Sequence, residues 1–256
     1  MKKITIIAEI GINHNGSVNL AKKMIKAAKQ CGADVAKFQN AYREDLFRIN
    51  TKAYRVAKKF VLSDSDYKEI KKYCDKLNIE FMSTPYDLKS VELLEKLKVK
   101  RYKVASADVV DMPLHKKIIS TRKPVILSTG MATIPEIRKT VRFYKQNKMS
   151  RLTLLHCVSS YPCSPKSLNL KSMLRLKKLF NLQIGYSDHS LGNDAAIMSV
   201  GFGARVIEKH FTIDKSLPGA DHKISESPKE FSNLIKAIRD AEIRLGSEEK
   251  KCQPEE

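Results

Sequence analysis

The chain of 256 residues is short of carboxylates: 28 aspartates and glutamates stand against 48 lysines and arginines, a formal charge of +20. It also contains no stretch of membrane-spanning length, no repeat at a solenoid period, no low-complexity segment and no G-x-G-x-x-G turn. These absences argue against a transmembrane span, a repeat array and a dinucleotide fingerprint. Its five cysteines (Cys31, Cys74, Cys157, Cys163 and Cys252) are odd in number and irregularly spaced, which suggests neither a disulfide framework nor a zinc motif and fits a reducing cytoplasm. The start, MKKITIIAEIG, has two lysines and a short apolar run, but Glu9 interrupts it and INHNG follows, so it reads as a first strand rather than a signal peptide.

The excess positive charge is read mainly as a solvated surface. Lys22, Lys23, Lys26 and Lys29, like Lys68, Lys71 and Lys72, fall on outward helix faces, and no basic stretch is interleaved with aromatics for stacking bases. No nucleic acid and no membrane partner is expected. A secondary role in steering a small anionic substrate remains open.

What is present is an alternation of short apolar runs and amphipathic segments. Strands are expected near 4–10, 35–39, 80–83, 101–105, 124–128, 152–157, 183–186 and 205–210, apolar enough to be buried on both faces. Between them, Ala21, Met24, Ile25 and Ala28 recur at helical spacing after Ser17. Ile70, Tyr73 and Leu77 follow a Ser63/Asp64 start, and Phe231, Leu234, Ile235, Ile238 and Leu245 mark a last helix. Eight such units predict an α/β protein, and the length suits one (β/α)8 TIM barrel. One barrel domain over 1–246 and a charged, frayed tail over 247–256 are expected.

Polar residues at the downstream ends of the runs favour the barrel over an open sheet. Glu9 closes TIIAEI, Lys37 and Gln39 close DVAKFQ, Lys103 and Ser106 follow RYKVAS, and Ser128 ends PVILS. His156 ends LTLLH, Ser187 to His189 follow QIGY, and Glu208 and His210 end RVIEKH. An open sheet gathers its ligand groups at one switch point, whereas these come from seven of the eight units. The long connection from Ala41 to Leu62, carrying Tyr42, Arg43, Phe47, Tyr54 and Arg55, reads as a lid or as an excursion over the rim.

Three constellations carry chemistry. His189 and His210, on neighbouring strand ends, can share a divalent metal with positions left for water or substrate oxygens. Asp188 and Glu208 are close enough to orient them or neutralise the ion, and either imidazole alone also fits an ordinary hydrogen-bonded histidine. Lys37, Lys103, Ser106, Ser128 and Ser187 form an anion site, although Lys37 could instead pair with Glu9, and either lysine could form a Schiff base if its pKa were lowered. Glu9 and Asp221 are candidate acid or base groups, with a turn role equally open to Asp221. Asn13, His14 and Asn15 divide between capping and substrate contact, and Tyr161 between binding a sugar face and plugging the rim.

The segments IAEIGINHNG, AKFQ, FMSTPYD, YKVASAD, LSTGMAT, LLHCVSSYP, GYSDHS and EKHFTID to GADHKIS run in order from about Thr5 to Phe231. Together they resemble the barrel of the sialic acid synthase (NeuB-type) family. The resemblance implies condensation of phosphoenolpyruvate with N-acetylmannosamine or a related N-acyl hexosamine, releasing phosphate and a nonulosonic acid. It also implies Mn or Mg on His189 and His210. Phosphoenolpyruvate would lie on Lys37, Gln39, Lys103, Ser106, Ser128 and Ser187, and the amino sugar on Glu9, Tyr161 and Asp221, with Glu9, Lys37 and Lys103 catalytic. Members of the family often carry Asn where Ser159 stands, a hairpin ahead of the first strand, and a small C-terminal SAF domain that places an arginine over a dimer partner's substrate. The expectation is therefore a homodimer or a separate SAF-type chain, with Arg43 or Arg55 as other sources of that charge. The alternatives are a Schiff-base lysine aldolase on the same barrel and a barrel subunit that needs an SAF partner.

Overall fold

A computed structural model describes residues 3–42, 51, 54, 60–253 and 255–256. Arg43, Phe47 and Arg55 of the expected lid lie outside the described residues. Eight parallel strands form the sheet: β1 (Thr5–Gly11), β2 (Val35–Asn40), β3 (Glu80–Pro85), β4 (Tyr102–Val104), β5 (Val125–Ser128), β6 (Leu152–Cys157), β7 (Gln183–Asp188) and β8 (Val206–His210). They are hydrogen-bonded in the order β3-β2-β1-β8-β7-β6-β5-β4. Thr5 to Glu9 run alongside Val206 to His210, and β4 packs against β3 across the remaining seam, so the sheet curls into a (β/α)8 barrel.

The outer ring contains α1 (Val18–Cys31), α2 (Asp64–Lys76), α3 (Leu88–Lys96), α4 (Met112–Ser120), α5 (Ile134–Gln146), α6 (Ser172–Phe180), α7 (Asp194–Gly201) and α8 (Pro228–Leu245). Side chains of the preceding loops start several of them by accepting orphan backbone N–H groups. The Ser17 hydroxyl takes Leu20 N, the Asp87 carboxylate takes Ser90 N, and Ser63/Asp66 and Ser227/Glu230 form reciprocal capping boxes. At the other end of α1, Gly32 adopts φ 94°, a left-handed conformation that glycine reaches without a Cβ clash. The expected apolar faces of α1 and α8 are buried except at Leu245, which is 47% exposed with Ile243 beside it, because the last turn of α8 outruns the barrel it packs on. Among the described residues, no helix is long and apolar enough to cross a membrane.

Two apolar layers hold the barrel. The larger lies between strands and helices and includes Ile6, Ala8, Ile10, Ala36, Phe38 and Phe81. A separate small cluster of Ile7, Val35, Met82, Ile126, Leu155 and Val206 fills the interior. Strand residues alternate between faces with a period of two, so the position two residues beyond each interior residue faces the same axis one layer higher. That step turns Ile7, Val35, Met82, Ile126, Leu155 and Val206 into Glu9, Lys37, Thr84, Ser128, Cys157 and Glu208. On β7 the corresponding pair is Gly185 and Ser187. A Cβ on Gly185 would stand 2.2 Å from the Val206 carbonyl oxygen and 2.6 Å from Leu155 Cδ2, so its neighbours already occupy that space.

Candidate active site

The polar layer opens upward into a cavity of about 280 Å³. Its lining includes Glu9, Lys37, Gln39, Lys103, Ser106, Ser128, Tyr161, Ser187, His189 and His210, every residue assigned to the site from the sequence except Asp221. Asp221 lies just beyond, with Oδ2 3.8 Å from His210 Nδ1. Glu208, first considered only as a neighbour of the histidines, instead sits between the two lysines.

The floor is a chain of alternating charges, each almost fully buried. Lys37 Nζ lies 2.9 Å from Glu9 Oε2 and 3.5 Å from Glu208 Oε2, and it donates to Thr84 Oγ1 at 3.1 Å. Lys103 Nζ donates to Ser128 Oγ at 2.7 Å and stands 3.7 Å from Glu208 Oε1, which also accepts from the Ser187 hydroxyl at 3.0 Å. Gln39 Nε2 donates to Glu9 Oε1 at 3.0 Å. The Lys37–Glu9 pair anticipated as an alternative to an anion site is therefore present; fully ionised, two lysines against two carboxylates carry no net charge, and the cluster becomes net positive toward an anion above it when Glu9 is protonated. Ser106 contributes differently from Ser128 and Ser187: its Oγ accepts from Gly130 N at 3.0 Å. A side chain on Gly130 would collide with both Ser159 and Ser106 hydroxyls, so glycine brings the β5 loop in close.

Burial and these neighbours divide the carboxylates into opposite states. Burial pushes Glu9 up to about 7; Lys37 opposes the rise, and the negative Glu208 adds to it. For Glu208, burial also disfavours the charge, but Lys103, Lys37 and the Ser187 hydroxyl overcome it and lower its pKa. Lys37 is raised, because Glu208 and Glu9 outweigh its burial. Lys103 is lowered, because burial together with Lys37 prevails over the attraction of Glu208.

The imidazoles meet on the β7–β8 side of the cavity, where His210 is the register partner of Glu9 on the neighbouring strand. The ring centroids of His189 and His210 are 5.6 Å apart, and the half-exposed Tyr161 lies over them, 4.0 Å from the first and 5.8 Å from the second. Val158 O accepts from His189 Nδ1 at 2.8 Å, and although burial opposes it, Cys157 and this carbonyl raise the pKa of the ring; in its neutral form Nε2 carries the lone pair. Burial, a protonated His189 and Lys37 draw His210 down to about 3, so it is neutral, and among the described residues its Nδ1 has no hydrogen-bond partner. Among the described residues, no group of three or more His, Cys, Asp or Glu side chains is placed to hold a metal. The donor set thus fits an ion held by two imidazoles that completes its shell with water or substrate oxygens, and it does not fit a closed structural site.

Other sequence candidates turn away from the cavity. His156 points outward, donates to Leu168 O at 2.7 Å and stacks on Tyr186. Asp188 does not reach the histidine rings; it is buried against Lys209 and Ser190. Asn13 bridges Phe211 O and Ser225 Oγ, and Asn15 approaches His222, so the first loop braces the last one. The sequence reading missed Thr84, Tyr86, Met131 and Cys157, which also line the cavity. The two-residue step from Met82 and Leu155 would have found Thr84 and Cys157. Tyr86 and Met131 sit in loops where no period applies.

The same arrangement of elements recurs in known proteins. The NeuB family matches the chain over residues 24–250. An uncharacterized protein of Methanocaldococcus jannaschii is 46% identical across 98% of this chain and 74% of its own length. The N,N'-diacetyllegionaminic acid synthase of Legionella pneumophila is 44% identical across 96% and 74%. Among solved structures, the N-acetylneuraminic acid (sialic acid) synthetase of Leptospira borgpetersenii, crystallised in complex with citrate, superposes with a TM-score of 0.95 at 36% identity, covering 99% of this chain and 89% of that one. Barrel fold and sequence agree: the chain belongs to the NeuB family.

Proposed function

We propose that the protein condenses phosphoenolpyruvate with an N-acyl hexosamine to give a nonulosonic acid and inorganic phosphate. The observation that carries this reading is the convergence of Lys37, Lys103, Ser128 and Ser187 with the paired His189 and His210 on one cavity. The Legionella relative, named for a diacetylated product, supports an N-acylated amino sugar as the acceptor.

In this reading Lys37 and Lys103 attract the carboxylate and phosphate of phosphoenolpyruvate, and Ser106, Ser128 and Ser187, with Gln39 beside them, orient its oxygens. The enol carbon C3 forms a bond to the aldehyde carbon of the open-chain sugar, whose oxygen takes a proton. Water adds at C2 of the former phosphoenolpyruvate, and the tetrahedral adduct expels phosphate to leave the 2-keto acid. A divalent ion such as Mn or Mg, held by His189 and His210, would supply Lewis-acid polarisation of the aldehyde oxygen. Glu9 is the proton-transfer group: with a pKa near 7 set by burial it is divided between acid and base at neutral pH. Asp221 and Tyr161 flank the imidazoles where the sugar would stand. A homodimer or an SAF-type chain that supplies an arginine belongs to the same proposal; light scattering and co-purification test it.

The test is phosphate release from phosphoenolpyruvate with a panel of N-acetylated and N,N'-diacetylated hexosamines, with and without Mn. Release that requires both sugar and metal supports the proposal, and release indifferent to both contradicts it. One observation favours a second reading. The lowered pKa of Lys103 suits a Schiff-base aldolase, which predicts borohydride trapping of a pyruvate adduct and activity that survives chelators.

A further inference from the structure

Behind the paired imidazoles lies a buried lysine that the reaction scheme does not use. Glu208, Lys209 and His210 alternate along β8, so Lys209 points away from the cavity while its neighbours line it. Its side chain is 1% exposed. An ammonium removed from water costs several kcal/mol unless its donors are matched. Here all three donors are matched: Asp188 Oδ2 accepts at 2.7 Å, Ser190 O at 2.8 Å and Gly192 O at 2.6 Å, with Glu226 Oε1 3.6 Å away.

The placement of these acceptors gives the knot its meaning. They flank His189 in sequence, one residue before it and one and three residues after it, while the donor is the residue next to His210. Asp188 Oδ1 tightens the same turn by accepting from Ser190 N at 2.9 Å and Ser190 Oγ at 2.7 Å. The backbones of both histidines are also fixed: Cys163 N donates to His189 O, and Glu226 N donates to His210 O, each at 2.8 Å. One side chain thus ties the loop carrying the first imidazole to the strand carrying the second.

We propose that Lys209 is a positioning residue that fixes the spacing and aim of His189 and His210, and through them the affinity of the site for a divalent cation. The inference rests on the metal reading of the two histidines given above. A knot serving only stability could be replaced by uncharged side chains of similar size at little cost, because neutral substitutes for buried ion pairs are often well tolerated. A positioning knot could not, because the neutral substitutes no longer grip the two loop carbonyls.

The experiment is titration of the protein with Mn2+, followed by the electron paramagnetic resonance signal of the free ion. The arms are the unmodified protein, His189→Ala, Lys209→Met and the double variant Asp188→Asn/Lys209→Met, each checked for fold by circular dichroism. The double variant removes the charges of Lys209 and Asp188, keeps an oxygen for Ser190 and leaves Glu226 as the one charge of the knot, so it remains informative if Lys209→Met alone does not fold. The expected result is loss of the site in His189→Ala and about a 10- to 100-fold weaker Mn2+ affinity in the Lys209 variants, the range for partners that orient metal ligands. Phosphoenolpyruvate affinity measured without metal is expected to stay unchanged. A folded double variant that binds Mn2+ as the unmodified protein does would overturn the inference, as would failure of both Lys209 variants to fold, which assigns the knot to stability alone. Absence of Mn2+ binding in the unmodified protein, or undiminished binding in His189→Ala, would instead bring down the functional reading and this inference with it.

Discussion

Replacing Lys37 by Met removes the cation between two buried carboxylates while keeping a side chain of comparable length. Glu208 retains Lys103 at 3.7 Å and the Ser187 hydroxyl, whereas Glu9 retains only the Gln39 amide. Removing one partner of a buried pair costs about 3–5 kcal/mol. For a protein of this size that lowers Tm by about 6–20 °C, at about 2–4 °C per kcal/mol. The loss also has a pH signature. Glu9 is raised from an ordinary 4.5 to about 7 in the folded protein. The native state therefore binds the extra proton, and this contribution to stability is present below the ordinary value and fades as pH rises through about 7. Without Lys37 the carboxyl rises further, so above pH 7, where the parent levels off, the variant goes on losing stability by roughly 1 kcal/mol per pH unit. Thermal melts of both proteins at pH 6 and pH 8 check this: the gap in Tm should widen by several degrees at the higher pH. A gap that stays constant or narrows would refute the claim that Lys37 offsets the Glu9 charge.

Three further outcomes follow from the same geometry. Gly185→Ala places a methyl 2.2 Å from the Val206 carbonyl and should destabilise by about 3 kcal/mol or more, the upper end for overpacking, read as a lower midpoint in urea; an unchanged midpoint would mean that the barrel floor is looser than described. Lys103→Met should raise the KM for phosphoenolpyruvate about 10-fold or more while leaving the KM for the sugar nearly unchanged, since a charge-assisted contact contributes about 1.5–3 kcal/mol; equal effects on both substrates would count against its place in the anion cradle. His189→Ala should abolish metal-dependent turnover with a circular dichroism spectrum like the parent's, and full activity would remove the histidine from the metal site.

The barrel was readable because its strands are buried on both faces, so apolar runs and helical stripes alternate without ambiguity, and because polar residues at strand ends have few other reasons to be there. Glu9, Lys37, Lys103, Ser128, Ser187, His189 and His210 were found that way and line one cavity. The rule fails by one residue where a strand end carries consecutive polar groups. In LLHC the inward positions are Leu155 and Cys157, so His156 faces the helices; in EKH they are Glu208 and His210, so Lys209 does. Only the interior cluster of Ile7, Val35, Met82, Ile126, Leu155 and Val206 fixes which alternate is inward. Loop residues such as Tyr86 and Met131 lacked any such period. Asp221 could be placed near the histidines by its position after β8, but its 3.8 Å approach to His210 depends on how the last loop folds back.

The central claim is that the lysine-serine cradle and the paired imidazoles serve one chemical event in one cavity. A crystal structure grown with phosphoenolpyruvate and Mn2+ tests it most directly. The account predicts an anomalous Mn peak bonded to a ring nitrogen of both His189 and His210, and phosphoenolpyruvate with its charged groups on Lys37 and Lys103. Manganese bound away from these rings, or phosphoenolpyruvate bound outside the cavity, would contradict it.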